Sequence, residues 1–306
     1  VIESPGIRAA GIIPVRAIKP IQHGGRILIP GCGFGLAWRD IFLEICRMTT
    51  SWKWRLAGFT AVVVTAFLSA ATWAATYSTN SFSDAFVTTG PGGNLAGNNY
   101  GAAGALGVSA SNLPNGEFQS ALQFDTSGAR NSFDNQFGSG QWTVQSVSLQ
   151  LTATPPNNAI FNATGAGQFQ IYWMQNDSWT EGTGTPNTPT TTGITFTSLQ
   201  NTFIGPGDES LGTFSFDGAT SGTANYTLNL TPGFTADLAA GNDLSLRLVA
   251  ADTGVSYLFD SRNFGTAASR PSLSIDAVPE PGTLALGGLG ITLLAGWRIA
   301  VRRRIA

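Results

Sequence analysis

Between Thr76 and Ala277 the sequence has no lysine, no cysteine and no histidine, and only four arginines (Arg130, Arg247, Arg262 and Arg270) against 14 aspartates and glutamates. Cys32, Cys46 and His23 all precede residue 48. The stretch therefore contains no disulfide, thiol nucleophile or imidazole, and any catalysis in it would have to use carboxylates. Its net charge of −10 repels phosphate backbones and anionic lipids, which argues against nucleic-acid binding. The near balance of the whole chain, 16 basic against 18 acidic residues, is an average of opposites, because the basic residues sit at the two ends. No long helical periodicity interrupts the middle, and its two hundred or so residues are enough for a sizeable core.

What is present is alternation. Val147, Leu149 and Leu151 alternate with polar residues, as do Phe169, Ile171 and Trp173; Tyr226, Leu228 and Leu230; and Leu244, Leu246 and Leu248. Weaker runs are ALQFD (121–125), TFSF (213–216), VSYLFD (255–260) and SLSI (272–275). Period two bounded by Gly, Asn, Pro and Thr predicts antiparallel strands with one dry face. Eight or more such strands predict an all-β fold: a two-sheet antiparallel sandwich of jelly-roll type over residues 75–277. One helical turn is expected over 231–238, with Thr231 as cap and Pro232 first.

The ends read as addresses. From Met48, Lys53 and Arg55 precede an apolar stretch from Leu56 to Ala71 and then small residues, the layout of a secretory signal peptide over 48–74. Thr72 and Ala74 put small residues at the two positions a signal peptidase reads. Cleavage is expected after Ala74, with Ala71 and Ala75 as alternatives; the competing reading is an uncleaved anchor. Residues 1–47 stand upstream of that start signal and are expected to be a spurious extension. Their GCGFG lacks the strand, helix and distal acid that a phosphate-binding loop needs.

At the other end, Gly282 to Val301 is 20 residues, about 30 Å as a helix, and matches a bilayer core with Arg298 snorkelling. Arg302, Arg303 and Arg304 set topology, with the acidic domain outside. Pro279, Glu280 and Pro281 disfavour helix and predict an extended, exposed tripeptide between fold and membrane. This stretch, 278–306, resembles the PEP-CTERM sorting signal: a Pro-Glu-Pro motif, a short transmembrane helix and a terminal arginine cluster. The resemblance implies recognition by an exosortase-type enzyme, passage through the inner membrane, and export to the surface or exopolysaccharide matrix of a bacterium.

Inside the domain, five landmarks in order resemble the DNRLRE-type, carbohydrate-binding-module-like domain: NNYGAAGALGV (98–108), ALQFD, SVSLQL, NDSWTEGTGT (176–185) and FDSRNFGTAASRPSLSI (259–275). Asn263 departs from the pattern, standing where many relatives carry Glu. The resemblance implies a carbohydrate-binding-type module, with a structural role and binding of extracellular polysaccharide as the two alternatives; the family includes binders of acidic polysaccharides, for which a domain at −10 is a poor host without a local patch or Ca²⁺. Tyr100, Trp142, Tyr172 and Trp179 are candidate stacking platforms, set against the alternative that they pack the core. Arg262 and Arg270 are expected to pair with carboxylates such as Asp260 or Asp125. Asp208 with Glu209, and Asp134 with Asn135, are oxygen donors on expected loops where Ca²⁺ or plain solvent are the alternatives. A non-enzymatic role, structural or glycan-binding, is expected; the rival is a secreted polysaccharide-active enzyme with paired carboxylates, for which Glu117 and Glu181 are available.

Overall fold

The computed structural model describes residues 74–156 and 160–280. The expected signal helix, the transmembrane helix at 282–301, Pro281, Arg302, Arg303, Arg304 and residues 1–47 lie outside the described residues. Among the described residues, no helix is long and apolar enough to cross a membrane.

Eleven strands are described: β1 (Ala75–Asn80), β2 (Ser83–Thr88), β3 (Ala105–Ser109), β4 (Phe118–Asp125), β5 (Trp142–Thr154), β6 (Gly167–Met174), β7 (Glu209–Phe216), β8 (Thr223–Thr227), β9 (Asp243–Ala250), β10 (Ser256–Asp260) and β11 (Ser272–Pro279). They pair antiparallel in the order β1-β11-β5-β10-β3-β4-β9-β6-β7, with β2 also on β4 and β8 also on β5. The all-β antiparallel expectation matches this arrangement, but one continuous sheet curls into a half-barrel where two separate sheets were expected. The cause is the 13-residue strand β5, which pairs β11 and β8 along most of its length and then β10 at Ala153 and Thr154.

Curling brings two strips face to face. Leu149, Leu151, Leu273 and Ile275 of one strip meet Leu122, Phe169, Leu246 and Leu248 of the other in a single core cluster. Each fully buried Leu or Ile removes enough apolar surface from water to contribute about 2 kcal/mol. A ring cluster closes one end, with Tyr257 4.6 Å from Phe216 and 4.5 Å from Phe259, and Phe169 5.1 Å from Tyr226.

Two helices cap the core. α1 (Ser127–Phe137) was not expected; it lays Ala129, Phe133 and Phe137 on one stripe, with Phe133 5.0 Å from the Trp142 ring. α2 (Pro232–Ala240) starts at Thr231 as expected and ends on Gly241, whose φ of 67° suits the left-handed C-cap. Thr231 makes no side-chain cap bond. Glu209, at the start of β7, instead accepts from the N–H groups of Gly233 and Phe234 at 2.9–3.1 Å, placing a carboxylate on the positive end of α2.

Candidate functional site

Three of the five landmarks meet in one knot. Arg262, just after β10, is ion-paired with Glu181 of the long segment between β6 and β7, with Nη2 to Oε2 at 2.7 Å and Nε to both oxygens at 2.8–2.9 Å. Asn263 donates to the same carboxylate at 2.7 Å and to the Gly101 carbonyl at 2.9 Å. Asn99 donates to the carbonyls of Glu181 and Ile194 and accepts from the N–H groups of Gly101 and Gly184. Gly182, with φ of 79°, passes against the Asn99 side chain where a Cβ would collide.

Beneath the knot lies Asp84 of β2, fully buried. One of its oxygens accepts from the Arg262 N–H (2.7 Å) and the Ser81 hydroxyl (3.1 Å); the other has no partner. Burial pushes its carboxyl up to about 7, against the opposing pull of the Arg262 N–H.

The expected partners of the arginines are corrected here. Arg262 pairs with Glu181, 81 positions away in sequence, and Arg270 donates through Nε to the Phe264 carbonyl. Asp125 accepts from the Ser127 N–H, and burial pushes the Asp260 carboxyl up, opposed by hydrogen bonds from Thr154 and Ser269. Of the two acids available to an enzyme, Glu181 is held by Arg262, and Glu117 accepts from Gln119.

Three of the four candidate platforms present no ring face. Tyr100 is 1 % exposed and stacks on Phe86 at 4.9 Å, its hydroxyl accepting from Asn98. Trp142 is 8 % exposed and donates to Asp134 at 2.8 Å; Trp179 is 3 % exposed and donates to Ser245 at 3.0 Å. Each ring packs in the interior because its polar atom finds a partner there. The oxygen donors on expected loops are likewise engaged. Asp134 belongs to α1, Asp208 accepts from the N–H groups of Gln175 and Gly205, and Glu209 caps α2. Burial alone would raise the Glu209 carboxyl, but the hydrogen bonds it accepts outweigh that and hold it below the ordinary value. Among the described residues no three His, Cys, Asp or Glu side chains converge as a metal site.

Tyr172 differs. It alternates with the buried Ile171 and Trp173, so it stands on the outer face of the β4-β9-β6-β7 strip, paired across the ladder with Arg247. The Arg247 guanidinium lies 4.6 Å over its ring. A continuous polar chain crosses the strip at this point. Gln119 donates to Glu117 (2.6 Å), Arg247 to Gln119 (3.3 Å), Tyr172 to Gln170 (2.7 Å) and Gln170 to Ser210 (3.0 Å). Among the described residues Arg247 has no carboxylate partner within bonding distance, and its buried Nε makes no hydrogen bond. Burial weighs against its charge, opposed by Asp208, Tyr172 and Glu117. Beside this patch the segment between β6 and β7 folds over the outer face, packing Trp179, Ile194 and Leu199 on Ala85, Val87, Ala121 and Met174. Sequence reasoning missed Arg247; the signal was its place in LSLRLVA, a polar position flanked by core leucines.

The sorting motif begins inside the sheet. β11 runs on past Ala277, with Val278 opposite Thr143 and Pro279 opposite Trp142, and the Glu280 N–H donates to the Gln141 carbonyl at 2.9 Å. The tripeptide was expected to be free of the fold, and the domain to stop at 277. Its first two residues are extended, as expected, but docked, because β5 reaches beyond the end of β1 and offers its edge. Residues 277–304 match the family model of the PEP-CTERM protein-sorting motif. That motif is a substrate signal for exosortase-type processing and implies export, with anchoring in the membrane before processing. No curated protein matches the chain.

Proposed function

We infer that the chain is a non-catalytic, surface- or matrix-bound module of a bacterium, delivered through its sorting motif, whose DNRLRE-type jelly roll binds extracellular polysaccharide. The sorting motif at 277–304 is the observation that carries this reading. The jelly roll is supported by the strip orders, β1-β11-β5-β8 facing β4-β9-β6-β7. The DNRLRE-type resemblance is supported by the meeting of NNYG, SWTEG and DSRN at the Glu181–Arg262 knot.

Polysaccharide contact is assigned to the outer face around Arg247. An arginine without an acid partner among the described residues, flanked by the amides of Gln119 and Gln170 and the hydroxyls of Tyr172 and Ser210, offers donors and acceptors spaced across neighbouring strands. Vicinal sugar hydroxyls need such an array. One side of the Tyr172 ring is covered by Arg247, so the face acts by hydrogen bonding more than by stacking.

The test has two arms. In a host that has the sorting enzyme, replacing Pro279, Glu280 and Pro281 by Ala should leave the protein membrane-held and unprocessed, read by fractionation and C-terminal mass. Export like the parent's would refute sorting. On a glycan array, Arg247→Ala should lose at least about tenfold of the parent's binding, matching the loss of a charge-assisted bond; an unchanged profile would remove this face from the reading.

A further inference from the structure

The half-barrel has a seam between β7 and β8. β7 pairs with β6 and β8 with β5, and among the described residues no ladder joins the two. At one end the Asn229 N–H closes the seam by donating to the Leu211 carbonyl at 2.8 Å, and the Phe214 and Tyr226 rings meet across it at 5.4 Å. Toward the turn at 217–222 the seam opens into a cleft of about 320 Å³. That turn is tied at both sides. The Asp217 carboxylate accepts from the Ala219 N–H at 2.9 Å, and the Gly222 carbonyl accepts from the Ala153 N–H at 2.8 Å.

The cleft has two kinds of wall. Phe216, Ala153 and Ala224 make an apolar floor, while Ser215, Ser221 and Thr223 line it with hydroxyls and Asp217 adds a carboxylate. Tyr226 links the two. It is 8 % exposed, its ring packs edge-on against Phe169, and among the described residues its hydroxyl makes no hydrogen bond. Burial and then the Asp217 charge push its phenol up to about 12, so it stays a donor and the carboxylate lies within electrostatic reach of it. Tyr257, buried against Phe216 and Phe259, likewise has a hydroxyl without a partner. Leaving a buried hydroxyl unpaired is costly, and one that lines a cleft marks where a bound group completes the bonding.

We propose that the β7–β8 cleft binds the terminal ring of an uncharged polysaccharide chain. A sugar ring carries a C–H face that suits the apolar floor and a rim of hydroxyls that suits the polar wall. Tyr226 donates to one hydroxyl oxygen of the ring, and Asp217 accepts from another hydroxyl. The volume lies at the low end of the roughly 300–1,000 Å³ of small-molecule sites, and the seam is shut at Leu211 and Asn229, so a ring enters but a chain cannot run through. Asp217 repels a sugar acid, and among the described residues no arginine lines the cleft to offset it. In the glycan-binding reading on which this rests, the outer face around Arg247 meets the length of a chain and the cleft meets its end.

The experiment titrates the full chain in detergent micelles with the methyl glycosides of glucose, galactose, mannose and glucuronic acid, read by saturation-transfer NMR. At least one of the three neutral glycosides should bind, and the glucuronide should not. Tyr226→Phe keeps the ring and its packing and should weaken the neutral glycoside about fivefold, matching the loss of one neutral hydrogen bond. Asp217→Asn should strengthen glucuronide binding at least about tenfold, a gain that damage to the fold would not produce. Binding unchanged in Tyr226→Phe overturns the inference, as does a glucuronide bound by the parent as tightly as the neutral sugars or still refused by Asp217→Asn. A glycoside signal lost in Arg247→Ala but kept in Tyr226→Phe overturns it too, by moving the sugar to the outer face. If no neutral glycoside binds the parent, the cleft is not a sugar site, while the array signal that depends on Arg247 decides the outer face separately.

Discussion

Replacing Asp84 by Asn removes a titration that works against the fold at neutral pH. The carboxyl is raised from 3.8 to about 7, first by burial, with Glu181 adding to the rise and the Arg262 N–H, the Ser81 hydroxyl and the Arg262 charge opposing it. Between those two values the unfolded chain gives up its proton while the folded chain keeps it. Stability is therefore full below the unfolded value and is lost as pH rises. At about 1.4 kcal/mol per pH unit over that window, the loss is about 4 kcal/mol by pH 7 to 8. Asn mimics the protonated acid, since its carbonyl keeps the bonds from Arg262 and Ser81 while its amide takes the place of the unpartnered oxygen. Urea unfolding followed by fluorescence of the buried Trp142, Trp173 and Trp179 is the assay. At pH 4.5 parent and Asp84→Asn should agree within about 1 kcal/mol, and at pH 8 the variant should be more stable by about 3–4 kcal/mol. A stability difference that does not grow with pH, or a variant weaker than the parent at pH 8, would refute the reasoning.

Leu246→Asp and Leu149→Asp each place an unpaired carboxylate in the fully buried core and should cost about 4 kcal/mol or more, with loss of the β-type circular dichroism spectrum; a native spectrum with unchanged urea midpoint would contradict the core assignment. Arg262→Ala leaves Glu181 with Asn263 as its side-chain donor and removes a positive charge near Asp84. It should cost about 2 kcal/mol and extend the pH-dependent loss of stability to higher pH, its onset at the unfolded value unchanged, whereas a merely decorative pair would leave both as they are.

The strands that alternate in sequence were legible because apolar and polar residues take turns along them: β5 and β6 bury Leu149 and Ile171 and leave both neighbours of each partly exposed, while β9 buries Leu244, Leu246 and Leu248 and leaves Arg247 partly exposed, though Ser245 is buried beneath the β6–β7 segment. β2 and β3 escaped detection because nearly every residue in SDAFVT and ALGVS is buried, so period two has no contrast to show. α1 escaped because SGARNSFDNQF is poor in helix formers and carries only the thin stripe Ala129, Phe133, Phe137; that spacing of four was the signal available.

The sequence by itself determined the address at the C-terminus, since Pro-Glu-Pro, an apolar run and terminal arginines are read in linear order and need no fold. It also determined the acidic, imidazole-free chemistry of the domain and its antiparallel β class. Tertiary structure alone decided which rings are buried. Trp142, Trp179 and Tyr100 go inside only because Asp134, Ser245 and Asn98 meet their polar atoms there. It decided that Arg262 answers Glu181 and that Arg247 is left without an acid, because ion-pair partners 81 positions apart are matched by chain path and not by spacing. And it set Ala75 opposite Ala277, since strand register is a long-range choice made by the buried face of the whole sheet, so the two ends of the domain finish on neighbouring strands.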